Sequence, residues 1–170
     1  MQLSLSMLAL SAMTLAGGNA LAGAAIPAIP PDWITINAGG IFTLRAPPGS
    51  VFVLPLGLIN NAGGVRGPGF EIHYQYAFDT DDLSCAKESK NYAAQQIDLD
   101  SRPAIIVAGS GLSSSCNDGE YANFVGLYAA TAFPTYARPA FRKLTMWGSV
   151  AQEQYSSTLK LMYQTIHFTQ

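Results

Sequence analysis

Residues 70–78 read Phe70-Glu71-Ile72-His73-Tyr74-Gln75-Tyr76-Ala77-Phe78, the clearest periodic stretch of the chain. Large apolar or aromatic residues at 70, 72, 74, 76 and 78 alternate with Glu71, His73, Gln75 and Ala77. Successive side chains of a strand point to opposite faces, so this period of two predicts a strand with one dry face and one wet face. Half-buried strands of this kind belong to antiparallel sheets, where one face packs on a core and the other meets water.

Working outward, the flanking sequence supplies further strands. Apolar runs at 33–36 and 41–45 are separated by Asn37-Ala38-Gly39-Gly40, a gap that predicts a hairpin. Pro47-Pro48-Gly49 imposes a turn before a short strand at 51–54. Five glycines, at 57, 63, 64, 67 and 69, predict a loop over 57–69. Downstream, Asp79-Thr80-Asp81-Asp82 reads as a polar turn and 85–95 as a short helix-compatible stretch. Strands are expected at 102–108, 121–133 and 143–150, with a Ser- and Gly-rich loop over 109–119. The last element changes period. Tyr155, Leu159, Met162, Tyr163 and Ile166 form one stripe of an amphipathic helix, with Ser149 as its cap and Gln152 three residues on. The fold class expected is α+β: a mainly antiparallel, sandwich-like sheet with a C-terminal amphipathic helix packed on one face.

Composition narrows the class of function. Charged residues make up 12 % of the 170 residues, against 49 % hydrophobic, where soluble domains carry roughly 25 % charge. A disordered or strongly acidic protein needs the opposite balance. The formal net charge of −2 gives no basic footprint for nucleic acid. Residues 1–22, MQLSLSMLALSAMTLAGGNALA, hold no charged side chain. Leu3 to Leu15 has the length of a signal-peptide apolar region, Gly17-Gly18-Asn19 breaks it, and Ala20-Leu21-Ala22 is a small-x-small cleavage pattern. No Lys or Arg precedes that region, so the free α-amino group or an upstream start has to supply the positive charge. The organisation expected is a signal peptide at 1–22, a Pro-rich flexible lead-in at 23–32, and a single α+β domain at 33–170. The compartment is then the periplasm or the exterior, and contact with a membrane runs only through the export signal.

Cys85 and Cys116 are the only cysteines, and an even count in an exported chain reads as a disulfide. A catalytic Cys with a His base is the alternative, and neither His73 nor His167 stands at zinc-motif spacing. Other chemical signatures are fragments. Ser84-Cys85-Ala86-Lys87 matches S-x-x-K, in which the Lys lies one helical turn from the nucleophile, but no K-T-G follows. Ser110 lacks the flanking glycines of a nucleophile elbow, and Ser114 replaces the third glycine of a dinucleotide loop beginning at Gly109. Asp79, Asp81 and Asp82 are oxygen donors suited to a hard cation, although Ser84 and Lys90 break the EF-hand pattern and a solvated turn is the plainer reading. No cofactor is implied. His167, with no acidic neighbour in sequence, receives no role. Arg66, Glu71, His73 and Gln75, on or beside the wet side of the central strand, form the candidate binding face.

Several segments together resemble small exported bacterial proteins of uncharacterised function. They are Phe42-Thr-Leu-Arg-Ala-Pro-Pro-Gly, Gly67-Pro-Gly-Phe-Glu-Ile-His-Tyr-Gln-Tyr, Ile97-Asp-Leu-Asp-Ser-Arg-Pro-Ala, Lys143-Leu-Thr-Met-Trp-Gly and the closing Leu159 to Phe168. Those proteins share strands of the form F-x-x-P-x-G and G-x-x-F-x-Y, a D-G-x-P-A turn and a final helix ending S-I-x-F. This chain departs at Ser101, where the pattern has glycine, and at Thr165, where it has serine. More distantly, the strand order with a closing helix resembles the Mog1/PsbP-like α+β sandwich. That resemblance implies a non-enzymatic adaptor, assembly factor or interaction module. The function expected is an exported, non-enzymatic binding protein of the bacterial envelope with a protein partner, immunity toward a toxin being one form of it. Two rivals stand beside it: a small secreted hydrolase built on Ser84/Lys87 or on His73/Glu71, and an envelope structural protein. The processing is open to one measurement. Intact mass of the exported protein is expected to begin at Gly23, with both cysteines alkylated only after reduction; an intact Met1, or two thiols that label without reductant, contradicts the export reading.

Overall fold

The computed structural model describes residues 28–54, 62–112, 121–133 and 142–169. Three strands form a small antiparallel sheet in the order β1 (Ile34–Ala38), β2 (Phe42–Ala46), β10 (His167–Phe168). Seven more form the main sheet in the order β3 (Val51–Val53), β4 (Ala62–Gly67), β5 (Phe70–Ala77), β9 (Arg142–Val150), β8 (Tyr121–Phe133), β7 (Arg102–Leu112), β6 (Lys90–Leu99). All pairings are antiparallel. Among the described residues one α-helix, α1 (Gln154–Gln164), lies with the small sheet on one face of the main sheet. The class is α+β, mainly antiparallel, with its C-terminal helix on a sheet face.

Strand β5 behaves as its alternation requires. Phe70, Ile72, Tyr74 and Tyr76 are buried, while His73 and Gln75 are exposed. Tyr74 joins the layers: its ring meets Phe42 of β2 edge to face at 5.2 Å and stacks on Phe52 of β3 at 6.3 Å. Such pairs add to the area term about 0.5–1.5 kcal/mol each. The β1–β2 hairpin forms where the sequence placed it. Gly39 and Gly40 adopt φ of 64° and 76°, and the Asn37 side chain accepts the Gly40 amide at 2.7 Å. Gly49, φ 83°, closes the Pro47-Pro48 turn.

Four sequence expectations are corrected. First, residues 62–67 of the expected glycine loop are strand β4, while 55–61 lie outside the described residues. These glycines serve close approach rather than looseness: a Cβ on Gly63 would stand 2.7 Å from the Tyr74 ring, and one on Gly64 would stand 2.7 Å from the Ile72 carbonyl oxygen. Second, the stretch 85–95 divides. A 3₁₀ helix, η1 (Ser84–Glu88), gives way to β6, an edge strand whose residues meet water on both faces and therefore show no hydrophobic period. Third, β7 continues through Leu112, so 109–112 belong to a strand, and 113–120 lie outside the described residues. Fourth, Ser149 is in β9; the helix N-cap is Glu153, with no side-chain cap bond.

Two glycines on adjacent central strands open seats on opposite faces. Gly148 of β9 faces inward, where a Cβ would fall 2.3 Å from Leu159 and 3.1 Å from the Tyr163 hydroxyl. The fully buried Tyr163 donates its O–H to the Val125 carbonyl of β8 at 2.9 Å. Burial raises its ionisation far above the ordinary tyrosine range. On the outer face, a Cβ on Gly126 would fall 2.7 Å from Leu83. There Leu83, Ala86, Val107 and Phe124 form a second, smaller cluster under η1. Gly148→Ala is expected to cost about 1–3 kcal/mol by overpacking the helix seat. Chemical denaturation checks this, and an unchanged midpoint would show that α1 is not set by that glycine.

Candidate functional site

The antiparallel register gathers the four candidate residues on one outer patch. Arg66 faces Glu71 directly across β4–β5, and its Nη2 donates to Glu71 Oε1 at 2.9 Å. His73 Nε2 lies 3.8 Å from the same oxygen. His73 and Gln75 follow at intervals of two along β5 and are both exposed. One residue that sequence reasoning missed joins them. Trp147 sits opposite His73 on β9, their rings 6.5 Å apart and tilted by 30°. The signal lay in Thr145-Met146-Trp147-Gly148-Ser149, where Trp147 shares strand parity with Thr145 and Ser149; placing it beside His73 required the β5–β9 register. On the other flank of His73 stands Gly64, whose missing side chain leaves that side of the imidazole uncrowded.

Among the described residues this half of the outer face is bare, because the covering segment 79–89 stops short of it. Residues 79–89 lie over β7, β8 and β9: Thr145 is fully buried, its Oγ1 2.8 Å from the Thr80 hydroxyl and 2.5 Å from the Asp81 carbonyl. Beyond Trp147 the described part of the sheet carries Arg66, Glu71, His73 and Gln75 and, at its edge, Val51, which is 55 % exposed. Arg66 and Glu71 neutralise each other in water, where such a pair contributes about 0.2–1 kcal/mol. The patch therefore offers an aromatic centre, hydrogen-bonding side chains and little net charge.

The other sequence candidates are placed elsewhere. Ser84 and Lys87 lie on exposed η1. The Ser84 hydroxyl and amide donate to Asp82, and these bonds hold the Asp82 carboxyl below its usual range, with Lys87 adding to the effect. Asp81 accepts the Leu83 amide at 2.7 Å, so Asp81 and Asp82 act as local caps. Ser110 lies within β7, its hydroxyl 3.4 Å from the Lys90 carbonyl. Cys85 lies in η1, whereas Cys116 lies outside the described residues.

His167 is corrected: it has an acidic neighbour, 67 residues away in sequence. Its Nδ1 lies 2.6 Å from Asp100 Oδ1, and Asp100 Oδ2 accepts the Phe168 amide at 2.7 Å. Arg102 lies over the Phe168 ring, 5.1 Å from its centre. Together with Ser101 and Thr169 these residues line a cleft of about 550 Å³. The carboxylate ties the β6–β7 turn to β10. That two-residue turn has φ of 49° at Asp100 and 63° at Ser101, the left-handed pair a type I′ hairpin demands. Aspartate tolerates this conformation; serine does so at a cost. Ser101→Gly is expected to raise stability by about 0.5–1 kcal/mol, read as a higher denaturation midpoint; a lower midpoint would show that the Ser101 side chain makes a bond worth more than the strain.

No known protein family and no curated protein matches the chain. Among solved structures it is similar to the solution structure of cyanobacterial PsbP (CyanoP) from Synechocystis sp. PCC 6803. The two are 10 % identical, with 80 % of this chain and 91 % of that one covered at a TM-score of 0.46.

Proposed function

We propose that the protein is an exported, non-enzymatic binding protein of the bacterial envelope that takes a protein partner on the outer face of β4, β5 and β9. The observation that carries this reading is the bare patch itself: Trp147 and His73 at its centre, ringed by Arg66, Glu71 and Gln75, on the half of the sheet that residues 79–89 leave uncovered. An aromatic centre within a rim of exposed polar groups is the anatomy of a protein interface. A self-neutral rim gives recognition by shape and hydrogen bonds more weight than electrostatic steering. Immunity toward a toxin is one form this function takes, with the toxin as the partner. Among the described residues no helix is long and apolar enough to cross a membrane.

The test is co-purification from the native envelope with the wild type and with His73→Ala/Trp147→Ala. A partner held by the wild type is expected to be weakened by at least about 2 kcal/mol in the variant, the scale of an aromatic hot spot, while circular dichroism stays unchanged. A partner held equally by both proteins, or by neither, refutes the patch.

A further inference from the structure

The cover that η1 lays on the outer face also ends above β7 and β8. There Ile105 and Tyr128 pack against the Leu83–Phe124 cluster on one side and line a cleft of about 380 Å³ on the other. Small-molecule sites commonly enclose about 300–1,000 Å³. The strand register shows which side chains share this cleft. Gln96 of β6 stands opposite Ile105, and Ile105 stands opposite Tyr128, so the three form one cross-strand row. Asp98 lies two residues beyond Gln96, opposite Pro103, in the part of β6 whose pairing runs unbroken from Ala93 to Leu99. Strand parity therefore sets Asp98 on the same face as that row.

Ile105, Pro103 and Ala130 give the cleft an apolar lining, and the proline ring stiffens the backbone beneath it. Gln96, Asp98 and the Tyr128 phenol supply its polar groups, and none of these side chains makes a hydrogen bond or ion pair among the described residues. Asp98 is the one charged residue of the lining. The cations of the neighbouring strands stand elsewhere. Lys90, past the register shift, is opposite Ser110 and belongs to the other face of the sheet. Arg102 lies on that other face too, over the Phe168 ring. Lys87 acts on Asp82 within η1, and Lys143 is three strands away on β9. The carboxylate of Asp98 thus faces an apolar recess with no described cation beside it.

We propose that this cleft binds a small organic cation, an ammonium group carried on an apolar or aromatic body. Asp98 is its counter-ion, and the Tyr128 ring attracts the same charge through its π-electrons. The Gln96 amide oxygen accepts from an ammonium N–H, while Ile105, Pro103 and Ala130 take the body out of water. An anion would meet a carboxylate and no compensating cation. A neutral molecule would gain the apolar contacts alone and leave Asp98 as it was. Bounded by η1 above and by β6 at the side, the recess admits a ligand of few atoms more readily than the flat face of a protein. It lies on β6, β7 and β8, whereas the Trp147 patch lies on β4, β5 and β9, so either site can fail without the other.

Benzylammonium is the probe, with benzyl alcohol and benzoate as its neutral and anionic counterparts. Titrated into nitrogen-labelled protein and followed by NMR, benzylammonium is expected to shift the amide signals of Gln96, Ile105 and Tyr128 with a Kd of about 1 mM. The alcohol and the benzoate should each bind at least about fivefold more weakly. Asp98→Asn should weaken benzylammonium by about fivefold and leave the alcohol unchanged, and Asp98→Glu should restore most of the loss. Tyr128→Phe, which keeps the ring, should bind as the wild type does, whereas Tyr128→Leu should lose about threefold. Asp98 is exposed on an edge strand, so its variants are expected to keep the wild-type spectrum away from the cleft. No shift up to about 20 mM, equal binding of the three probes, an Asp98→Asn variant without effect, or shifts centred on His73 and Trp147 instead overturns the proposal.

Discussion

The contact between α1 and the main sheet is the constraint on which the architecture depends. A helix can approach a pleated surface closely only where a side chain is missing, and Gly148 supplies that gap on β9. Leu159 enters it, Tyr163 hydrogen-bonds to Val125 beside it, and Met162 and Ile166 fill the space toward the small sheet. The helix end is then fastened to β2. The Thr165 hydroxyl donates to the Met162 carbonyl at 2.6 Å and accepts the Arg45 amide at 2.8 Å. Serine and threonine hydroxyls serve equally well in that role. With the helix seated and its end tied down, β10 is delivered to β2, and the small sheet closes over Tyr74.

The outer face follows the same logic with the opposite result. Gly126 opens a seat for Leu83, so residues 79–89 cover the β7–β9 half of the sheet and leave the β4–β5 half bare. Covered and bare halves meet at Trp147, which is half-buried and borders the polar patch. A single gap on β8 thus helps decide which part of the sheet a partner meets.

How much of this was legible in the sequence depends on the range of the signal. Strand β5, the β1–β2 hairpin and α1 were readable because their periodicity is local and one face is dry. Strand β4 was not, because glycines that admit Tyr74 look the same in sequence as glycines that loosen a loop. Strand β6 was not, because an edge strand wet on both faces carries no alternation. Glu71, His73 and Gln75 could be named together since strand parity places them on one side, and Arg66 joined them from the adjoining glycine-rich segment. Trp147 and the Asp100–His167 pair depend on which distant strands become neighbours, information that neither periodicity nor motif spacing holds.

The small sheet has a kinetic meaning as well as a structural one. Its central strand β2 pairs with residues 34–38 on one side and with His167 and Phe168 on the other. The core over Tyr74 therefore cannot close until residues more than 120 positions apart have met, as between Thr43 and His167. Loop-closure entropy makes so long a pairing slow to form. A chain emerging N-terminus first can fold its hairpins locally, but it lacks the helix and β10 until residues 154–168 have appeared. Until then β2 has a partner on one side alone, and the small sheet stays open.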